Sequence, residues 1–405
     1  MKNITKAFKS KSHTKGIFIF AIFFLAASGC QKTAVEATKQ QSLSAFQQSN
    51  AVAVPLDSSL QIKGAFLTFK RNGDTIIPHG VNVPVFGSGW KNDVAAVATA
   101  IKSNTKVNTV RITWYSKKVL AAIGNPPYFT NANLDLALGT YASKGIIPVL
   151  TLMDLTVSHD NSVTGFNNDV VAFWTDSSIV AILRKHKNHL ILNLQNEWGA
   201  TWAGLTATTY INTYAGLITK LRGIGITNPI MTDAPDGGTN SAFLITNGQA
   251  LINKDPLKNI LLSVHTYWSQ ENGLIVNCPA DYTTKVKAMA TSKLPFVLGE
   301  VSDWAVSSNG TDYESTPPAR FACPGATSPN KYAVNYDAIL TEAYSDKIGF
   351  FAWAWYQDGL LVRNLYNQST GLAINTSPYA GYWPSTMLSS SKTYGLNNPK
   401  LNNTH

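Results

Sequence analysis

Residues 190–199 read LILNLQNEWG, an apolar run that ends in the polar pair Asn196 and Glu197. The run is short and rich in branched apolar residues, as in a buried strand, and an amphipathic stretch follows it. The same succession of a short apolar run and a longer amphipathic stretch occurs eight times between residues 79 and 355. This repetition predicts parallel strand–helix units.

The eight strand candidates are HGVNV (79–83), TVRITW (109–114), IIPVLTL (146–152), LILNLQ (190–195), PIMTD (229–233), ILLSVH (260–265), FVLGE (296–300) and IGFFAWAW (348–355). Helical spacing of apolar residues is found between them, for example over 93–103, 133–144, 169–187, 208–222 and 331–346. Because no glycine-rich phosphate loop opens these helices, the pattern predicts an α/β fold of the closed (β/α)8 TIM-barrel type rather than an open doubly wound sheet. Before the first strand, an Asn72–Gly73 turn between alternating apolar residues predicts a short N-terminal β-hairpin.

The N-terminus has the composition of an export signal. Residues 1–29 combine a Lys-rich start with the apolar run GIFIFAIFFLAA (16–27), and LAASGC resembles a bacterial lipobox that ends at Cys30. We therefore expect lipidation of Cys30 and a flexible tether over 30–59, whose Gln, Ser, Ala and Thr cannot bury a core. The expected location is the outer membrane or cell surface, or the periplasm.

The formal net charge is +10, but five lysines lie within the first fifteen residues and the other basic residues are scattered. This distribution argues against nucleic-acid binding. The seven histidines are dispersed and no HEXXH or CXXC pattern is present, so neither a metal nor another cofactor is expected. No GXSXG elbow follows a strand, which disfavours a serine hydrolase.

In a TIM barrel, catalytic groups lie at the C-terminal ends of the strands. Glu197 ends the fourth strand candidate and Glu300 ends the seventh, so two carboxylates face each other across the predicted barrel mouth. Cleavage of a glycosidic bond needs such a pair, with one group to protonate the leaving oxygen and one to attack the anomeric carbon. A separation of about 5–5.5 Å between the carboxyl groups implies retention, and about 6.5–9.5 Å implies inversion.

Other polar and aromatic residues at the same strand ends are candidates for substrate binding. They are Arg111, Asp154, Asn196, His265, Tyr267 and Trp353. The cation of Arg111 would favour the charged form of Glu300, and burial against Trp198 would favour the neutral form of Glu197. Tyr267 is a candidate donor to Glu300.

Several of these residues also have simpler explanations. Arg111 can instead bridge a core carboxylate, and His265 can simply support Tyr267. Trp355 points to the opposite face from Trp353 and is expected in the core. Loop capping is the expected role of two further carboxylates near the mouth, Asp233 and Asp236.

The motifs resemble those of glycoside hydrolase family 5. They are VRI with Arg111, NEW at 196–198, HTY at 265–267, GE at 299–300 and WAW at 353–355. The resemblance covers roughly residues 64–358. It implies a retaining enzyme with Glu197 as acid/base and Glu300 as nucleophile, acting on a polysaccharide or oligosaccharide.

Longer segments such as ILNLQNEWGATW, IMTDAPDGG and LLSVHTYW are similar to the bacterial endo-β-1,4-mannanase branch, which implies hydrolysis of β-mannan. Met153 departs from that branch, which usually carries a His before the Asp of the third strand. The alternatives are a β-1,4-glucanase, an exo-β-glycosidase, or a non-catalytic carbohydrate-binding surface lipoprotein.

The remaining predictions concern cysteines and boundaries. Cys278 and Cys323 can form a disulfide bond in an oxidising compartment, or can be unrelated thiols. The folded domain is expected over residues 60–390, with one short helix after Asp358 and a polar tail over 391–405. We expect a monomer.

Overall fold

The computed structural model of the protein describes residues 59–85, 94–124, 126–270, 272–304, 333–355, 365–367, 372–373 and 383–398. Eight parallel strands close into a barrel in which each strand pairs with its neighbours along the chain and the last pairs with the first. The barrel strands are β4 (His79–Val83), β5 (Thr109–Trp114), β6 (Ile147–Leu152), β7 (Ile191–Asn193), β8 (Ile230–Asp233), β9 (Ile260–His265), β10 (Phe296–Val301) and β11 (Gly349–Ala352). The predicted (β/α)8 barrel is confirmed, and β4, β5 and β9 have the predicted bounds.

Helices lie between the barrel strands. They are α1 (Val94–Asn104), α2 (Lys117–Ala122), α3 (Asn131–Ser143), α4 (Asp154–Ser158), α5 (Val163–Gly165), α6 (Val171–Thr175), α7 (Ser177–Lys185), α8 (Ala207–Gly223), α9 (Ser241–Ile252), α10 (Ala280–Thr291) and α11 (Tyr336–Ser345). A π turn, Phe166–Val170, joins α5 to α6, and a short 3-10 turn, Thr201–Ala203, follows β7.

The helix expected over 169–187 is broken at Asp176. The carboxylate of Asp176 accepts hydrogen bonds from the backbone N–H groups of Ser178 and Ile179, at 2.9 and 3.3 Å. This is the geometry of an N-cap, so a new helix begins at Ser177. Apolar periodicity continues through the break and therefore did not reveal it.

The predicted hairpin forms part of a three-stranded antiparallel sheet of β1 (Leu60–Lys63), β2 (Phe66–Phe69) and β3 (Thr75–Ile76). Gly73 has a φ of 75° in the turn between β2 and β3, which glycine adopts without strain. Apolar residues of this sheet join one buried cluster with residues of the barrel strands: Leu60, Leu67, Ile76, Ile147, Val149, Ile191, Met231, Leu261, Val297 and Phe351. The sheet thus contacts the barrel near the N-terminal ends of the barrel strands, whereas the predicted site residues lie at their C-terminal ends.

The fold continues past position 390, where the sequence suggested a polar tail. Tyr394 and Leu396 are fully buried in the main hydrophobic core, and the carbonyl of Leu396 accepts a hydrogen bond from the N–H of Lys106 at 2.6 Å. The short helix α12 (Trp383–Met387) precedes them, after the two-stranded sheet of β12 (Tyr366–Asn367) and β13 (Leu372–Ala373). The structured chain therefore extends to at least Asn398.

The predicted export signal, the lipidation site Cys30 and nearly all of the tether fall outside the described residues. Within the described part of the chain, no helix has the length and apolar character needed to cross a membrane.

Candidate active site

Polar side chains from β5, β7, β9 and β10 converge at the C-terminal end of the barrel. Parallel strands present their ends on one rim, and alternate residues of each strand point inward. The structure brings together Arg111, Asn196, Glu197, His265, Tyr267 and Glu300. Six of the sequence-predicted residues therefore form one connected network.

Glu197 lies just beyond β7 in an uncommon backbone conformation. Its φ is 53°, in the left-handed region, which costs a residue other than glycine about 1–3 kcal/mol. Its N–H donates to Asp233 Oδ2 at 3.2 Å. The side chain is 21% exposed, so its carboxyl group reaches the barrel mouth.

Glu300 accepts hydrogen bonds at both carboxylate oxygens. Arg111 Nη1 donates to Oε1 at 2.7 Å, and the Tyr267 hydroxyl donates to Oε2 at 2.6 Å. The side chain is only 5% exposed. Two strong donors, one of them charged, fix the orientation of this carboxylate.

The two glutamates approach each other closely. One oxygen of Glu197 and one oxygen of Glu300 lie within 4.8 Å of each other, and His265 Nδ1 lies between them, 2.7 Å from Glu197 Oε1 and 3.6 Å from Glu300 Oε2. Such proximity leaves less room than the separation of about 6.5–9.5 Å in inverting glycosidases.

The guanidinium group of Arg111 organises the floor of the site. It is fully buried, and its N–H groups donate to oxygens from five side chains at 2.5–3.2 Å: Asn82, Asn193, Asn196, Asp233 and Glu300. A buried cation needs such a complete set of partners. Arg111 therefore bridges a core carboxylate, Asp233, and also holds the mouth residue Glu300.

His265 carries a positive charge in this arrangement. Burial alone lowers its pKa, but the negative charges of Glu300 and Asp233, the close contact with Asp233 and the hydrogen bond to Glu197 outweigh burial and raise the pKa to about 10. Both ring nitrogens are then donors. Nδ1–H points to Glu197 Oε1, and Nε2 lies 3.4 Å from Asp233 Oδ2. His265 thus links Glu197 to Asp233 rather than only supporting Tyr267.

Two glycines make room for the His265 ring. A Cβ on Gly238 would lie 2.6 Å from the ring, and a Cβ on Gly299 would lie 3.0 Å from Nε2 and 2.2 Å from the Ser263 hydroxyl. Gly238 also has a φ of 75°. A side chain on Gly299, the Gly of the GE motif, would therefore clash first with the Ser263 hydroxyl and would also crowd the imidazole of His265.

Burial raises the pKa of Glu197 above its usual value, and the charges of Glu300 and Asp233 add to that rise, although the His265 cation opposes it. A carboxyl group with a raised pKa keeps its proton at higher pH, as a general acid requires. The adjacent Trp198 side chain is buried against Phe166, with ring centroids 4.7 Å apart.

Asp233 was assigned to loop capping from the sequence, and this assignment was wrong. It is fully buried, and it contacts Arg111, Asn193, His265 and the backbone of Glu197. Burial alone raises its pKa, but the cations of His265 and Arg111 outweigh it and lower the pKa to about 2. Asp233 is thus the permanent anion of the network.

Asn82 and Asn193 were also missed. Each is a single amide within an apolar strand, and Asn82 pairs in register with Arg111. A buried polar side chain inside an apolar run must have a partner, and this signal could have identified both residues.

The remaining predicted residues lie elsewhere on the rim. Asp154 is 1% exposed and accepts a hydrogen bond from the N–H of Ser116 at 2.8 Å, so its carboxylate is enclosed and holds the loop after β5. Met153 is buried in the core. Trp353, just beyond β11, is half-buried, whereas Trp355 is buried as expected.

Two cavities adjoin Glu197, with volumes of about 640 and 160 Å³. The larger is lined by Thr201, Trp202, Asp236, Gly237, Thr239, Tyr267, Asn272 and Leu274 as well as Glu197.

Cys278, which follows the cavity-lining residue Leu274 in the sequence, is disulfide-bonded. The predicted partner, Cys323, lies outside the described residues.

Glu197, His265 and Glu300 form the one group of possible metal ligands found in the described part of the chain. The Arg111 guanidinium 2.7 Å from Glu300 and the proton on His265 Nδ1 both oppose binding of a cation there. The contacts fit proton transfer better than metal ligation.

Several known proteins are similar to this chain in sequence or in fold. The chain is 27% identical over 304 residues to a mannan endo-1,4-beta-mannosidase of Cellvibrio japonicus, covering 75% of this chain and 60% of that relative. Among solved structures, it resembles a beta-mannanase from Streptomyces thermolilacinus with mannohexaose, at a TM-score of 0.60 and 19% identity over 84% of this chain and 95% of that chain.

The catalytic domain of a Thermobifida fusca endoglucanase is similar to nearly the same degree, with a TM-score of 0.57 and 14% identity over 82% of this chain and 97% of that chain. At these identities the structural likeness shows the barrel fold alone. The sequence profile described as Cellulase (glycosyl hydrolase family 5) matches residues 70–359. The chain belongs to glycoside hydrolase family 5.

Proposed function

We propose that the chain is a retaining endo-β-1,4-mannanase in which Glu197 is the acid/base and Glu300 the nucleophile. The observation that carries the proposal is the carboxyl pair: their oxygens lie within 4.8 Å, burial raises the pKa of one, and two donors orient the other. Two neighbouring carboxyl groups in different environments can divide the acid and nucleophile roles.

In the first step, Glu300 attacks the anomeric carbon while Glu197 gives its proton to the glycosidic oxygen. Because His265 Nδ1–H donates to Glu197 Oε1, the proton of Glu197 belongs on Oε2. The hydrogen bonds from Arg111 and Tyr267 hold Glu300 in place for attack. The product is a glycosyl ester on Glu300 and a released leaving group.

In the second step, Glu197 is a carboxylate and removes a proton from water as the water attacks the same carbon. The His265 cation, 2.7 Å away, stabilises the negative charge on Glu197 during this half of the reaction. Two displacements at one carbon return the original anomeric configuration.

Mannan is the proposed substrate because the Cellvibrio relative is a mannan endo-1,4-beta-mannosidase and the strand segments of this chain resemble that branch. Endo action is supported by the two cavities next to Glu197, which share Glu197, Trp202 and Gly237 in their walls and together offer room for several sugar units. The chain spans 60% of that relative's length.

The test is hydrolysis of glucomannan, galactomannan, xyloglucan and carboxymethyl cellulose by the purified protein, with Glu300→Ala as the matched control. We expect new reducing ends from the two mannans, and proton NMR should show the β-anomer first. Release from carboxymethyl cellulose alone would replace mannan by glucan, and an initial α-anomer would contradict retention. Binding to mannan without release of sugar would support the carbohydrate-binding alternative.

We further propose that the enzyme is exported and anchored to a membrane by lipid on Cys30. The support is the LAASGC segment after an apolar run, followed by a polar tether. In a bacterial host, the wild-type protein should sediment with membranes and the Cys30→Ser variant should not be lipidated. Equal labelling of both proteins by a radioactive fatty acid would contradict lipidation at Cys30.

A further inference from the structure

Trp202 is the most exposed large apolar side chain among the described residues, at 79% exposure. By contrast, most described tryptophans are almost fully buried: Trp114, Trp174, Trp198, Trp268, Trp304, Trp355 and Trp383. Exposing an indole forgoes roughly 2–3 kcal/mol of hydrophobic stabilisation, so a solvent-facing Trp beside a catalytic group suggests a ligand.

The backbone beneath Trp202 is held firmly. Asp236 accepts hydrogen bonds from the N–H and the hydroxyl of Thr201, both at 2.6 Å, and from the amide of Asn240 at 2.8 Å. The N–H of Asp236 in turn donates to the carbonyl of Gly199 at 2.8 Å. These bonds fix the 3-10 turn that carries Trp202, although the indole itself remains exposed.

Trp202 also lies where the two cavities adjoin. Glu197, Trp202 and Gly237 line both the cavity of about 640 Å³ and the cavity of about 160 Å³. Among the described residues, the walls of these cavities include Glu197 but not Glu300. The cavities therefore adjoin the acid/base rather than the nucleophile.

The acid/base contacts the glycosidic oxygen, which departs with the leaving group. Sugars next to Glu197 and away from Glu300 are therefore leaving-group sugars. Pyranose rings have apolar C–H faces that pack on indole rings, and a rigid aromatic side chain loses little entropy when it binds.

We propose that Trp202 is the platform for the leaving-group sugars of the substrate. This inference rests on the proposed function and adds the side of the cleft on which Trp202 acts. The indole packs against a sugar ring just beyond the cleaved bond, while the Asp236 contacts keep the platform at a fixed distance from Glu197.

Two substrates distinguish the loss of a contact with the leaving-group sugars from a general loss of activity. Mannohexaose has leaving-group sugars, whereas β-mannobiosyl fluoride has a single-atom leaving group that cannot reach an aromatic platform. We expect Trp202→Ala to lower kcat/KM for mannohexaose about tenfold more than for the fluoride, the loss expected when the contact of one sugar face is removed. Trp202→Phe should recover most of this loss.

Leu257 provides the matched control, because it is also an exposed apolar residue, at 48%, but follows α9 near the start of β9. Leu257→Ala should leave both rates unchanged. Equal losses on both substrates, or no loss with Trp202→Ala, would overturn the inference. If the wild-type protein cleaves neither substrate, the proposed function itself is wrong. Thermal unfolding of Trp202→Ala should match the wild type, because the side chain is exposed.

Discussion

The Glu300→Ala variant should lose about 10⁴-fold or more in kcat on mannan, because in the proposed mechanism the glycosyl ester forms on Glu300. Its carboxylate is the acceptor for Arg111 and Tyr267, so those donors then lack their partner. The loss should also appear with β-mannobiosyl fluoride, since a good leaving group does not replace a nucleophile. Reducing-end assays on mannan and fluoride release measure the two losses.

Glu197→Ala should behave differently, because the role proposed for Glu197 is proton transfer alone. Loss of a general acid costs about 10²–10⁴-fold on mannan, but the first step with a fluoride leaving group needs little protonation. The ester should then accumulate, and added azide should release it as β-mannobiosyl azide. Formation of an α-azide by Glu197→Ala, or a β-azide by Glu300→Ala, would reverse the assigned roles.

The pH profile adds a second test of Glu197. Burial raises its pKa, and the first step needs its proton, so activity is present below that raised pKa and is lost as the pH rises through it. The alkaline limb of kcat/KM on mannohexaose should lie above the usual pKa of a glutamic acid. Glu342→Gln, on helix α11, should keep this limb unchanged, whereas Glu197→Ala acting on the fluoride should lack it.

The sequence was sufficient to predict the barrel and the carboxyl pair. Apolar runs with polar ends are a local signal, and β5 and β9 begin and end where the runs do. Glu197 and Glu300 were found because each ends such a run. The contact between Tyr267 and Glu300 was also expected, since both lie at ends of neighbouring parallel strands.

Strand register limited the rest of the prediction. Asp233 follows an apolar run in the same way as Asp154, yet Asp233 is in the buried network and Asp154 holds a loop. Which carboxylate faces Arg111 depends on how strands β5 to β8 pair and on whether each side chain points into or out of the barrel. A shift of one residue in strand register reverses the direction in which a side chain points. Local composition does not carry this information.

Arg111→Met should both destabilise the fold and inactivate the enzyme, because it leaves the buried carboxylate of Asp233 without its guanidinium partner and Glu300 without one of its two donors. Removing one partner of a buried ion pair costs about 3–5 kcal/mol in free energy of unfolding. We expect a loss of that size in urea unfolding. Arg111→Lys should recover only part of the lost stability, since an ammonium group cannot reproduce the planar set of hydrogen-bond donors of a guanidinium group.

Arg222 allows the activity effect to be separated from the stability effect. It is also nearly buried and makes two hydrogen bonds to the buried Asp255, at 2.9 and 2.8 Å, but it lies at the end of α8, before β8 begins. Arg222→Met should therefore destabilise the fold by a similar amount and keep kcat. If Arg111→Met kept its kcat on β-mannobiosyl fluoride at a temperature where it remains folded, Arg111 would be a core ion-pair residue alone. A loss of kcat in the folded Arg111→Met protein, with Arg222→Met active, would mean that the same guanidinium both stabilises the barrel floor and orients the nucleophile.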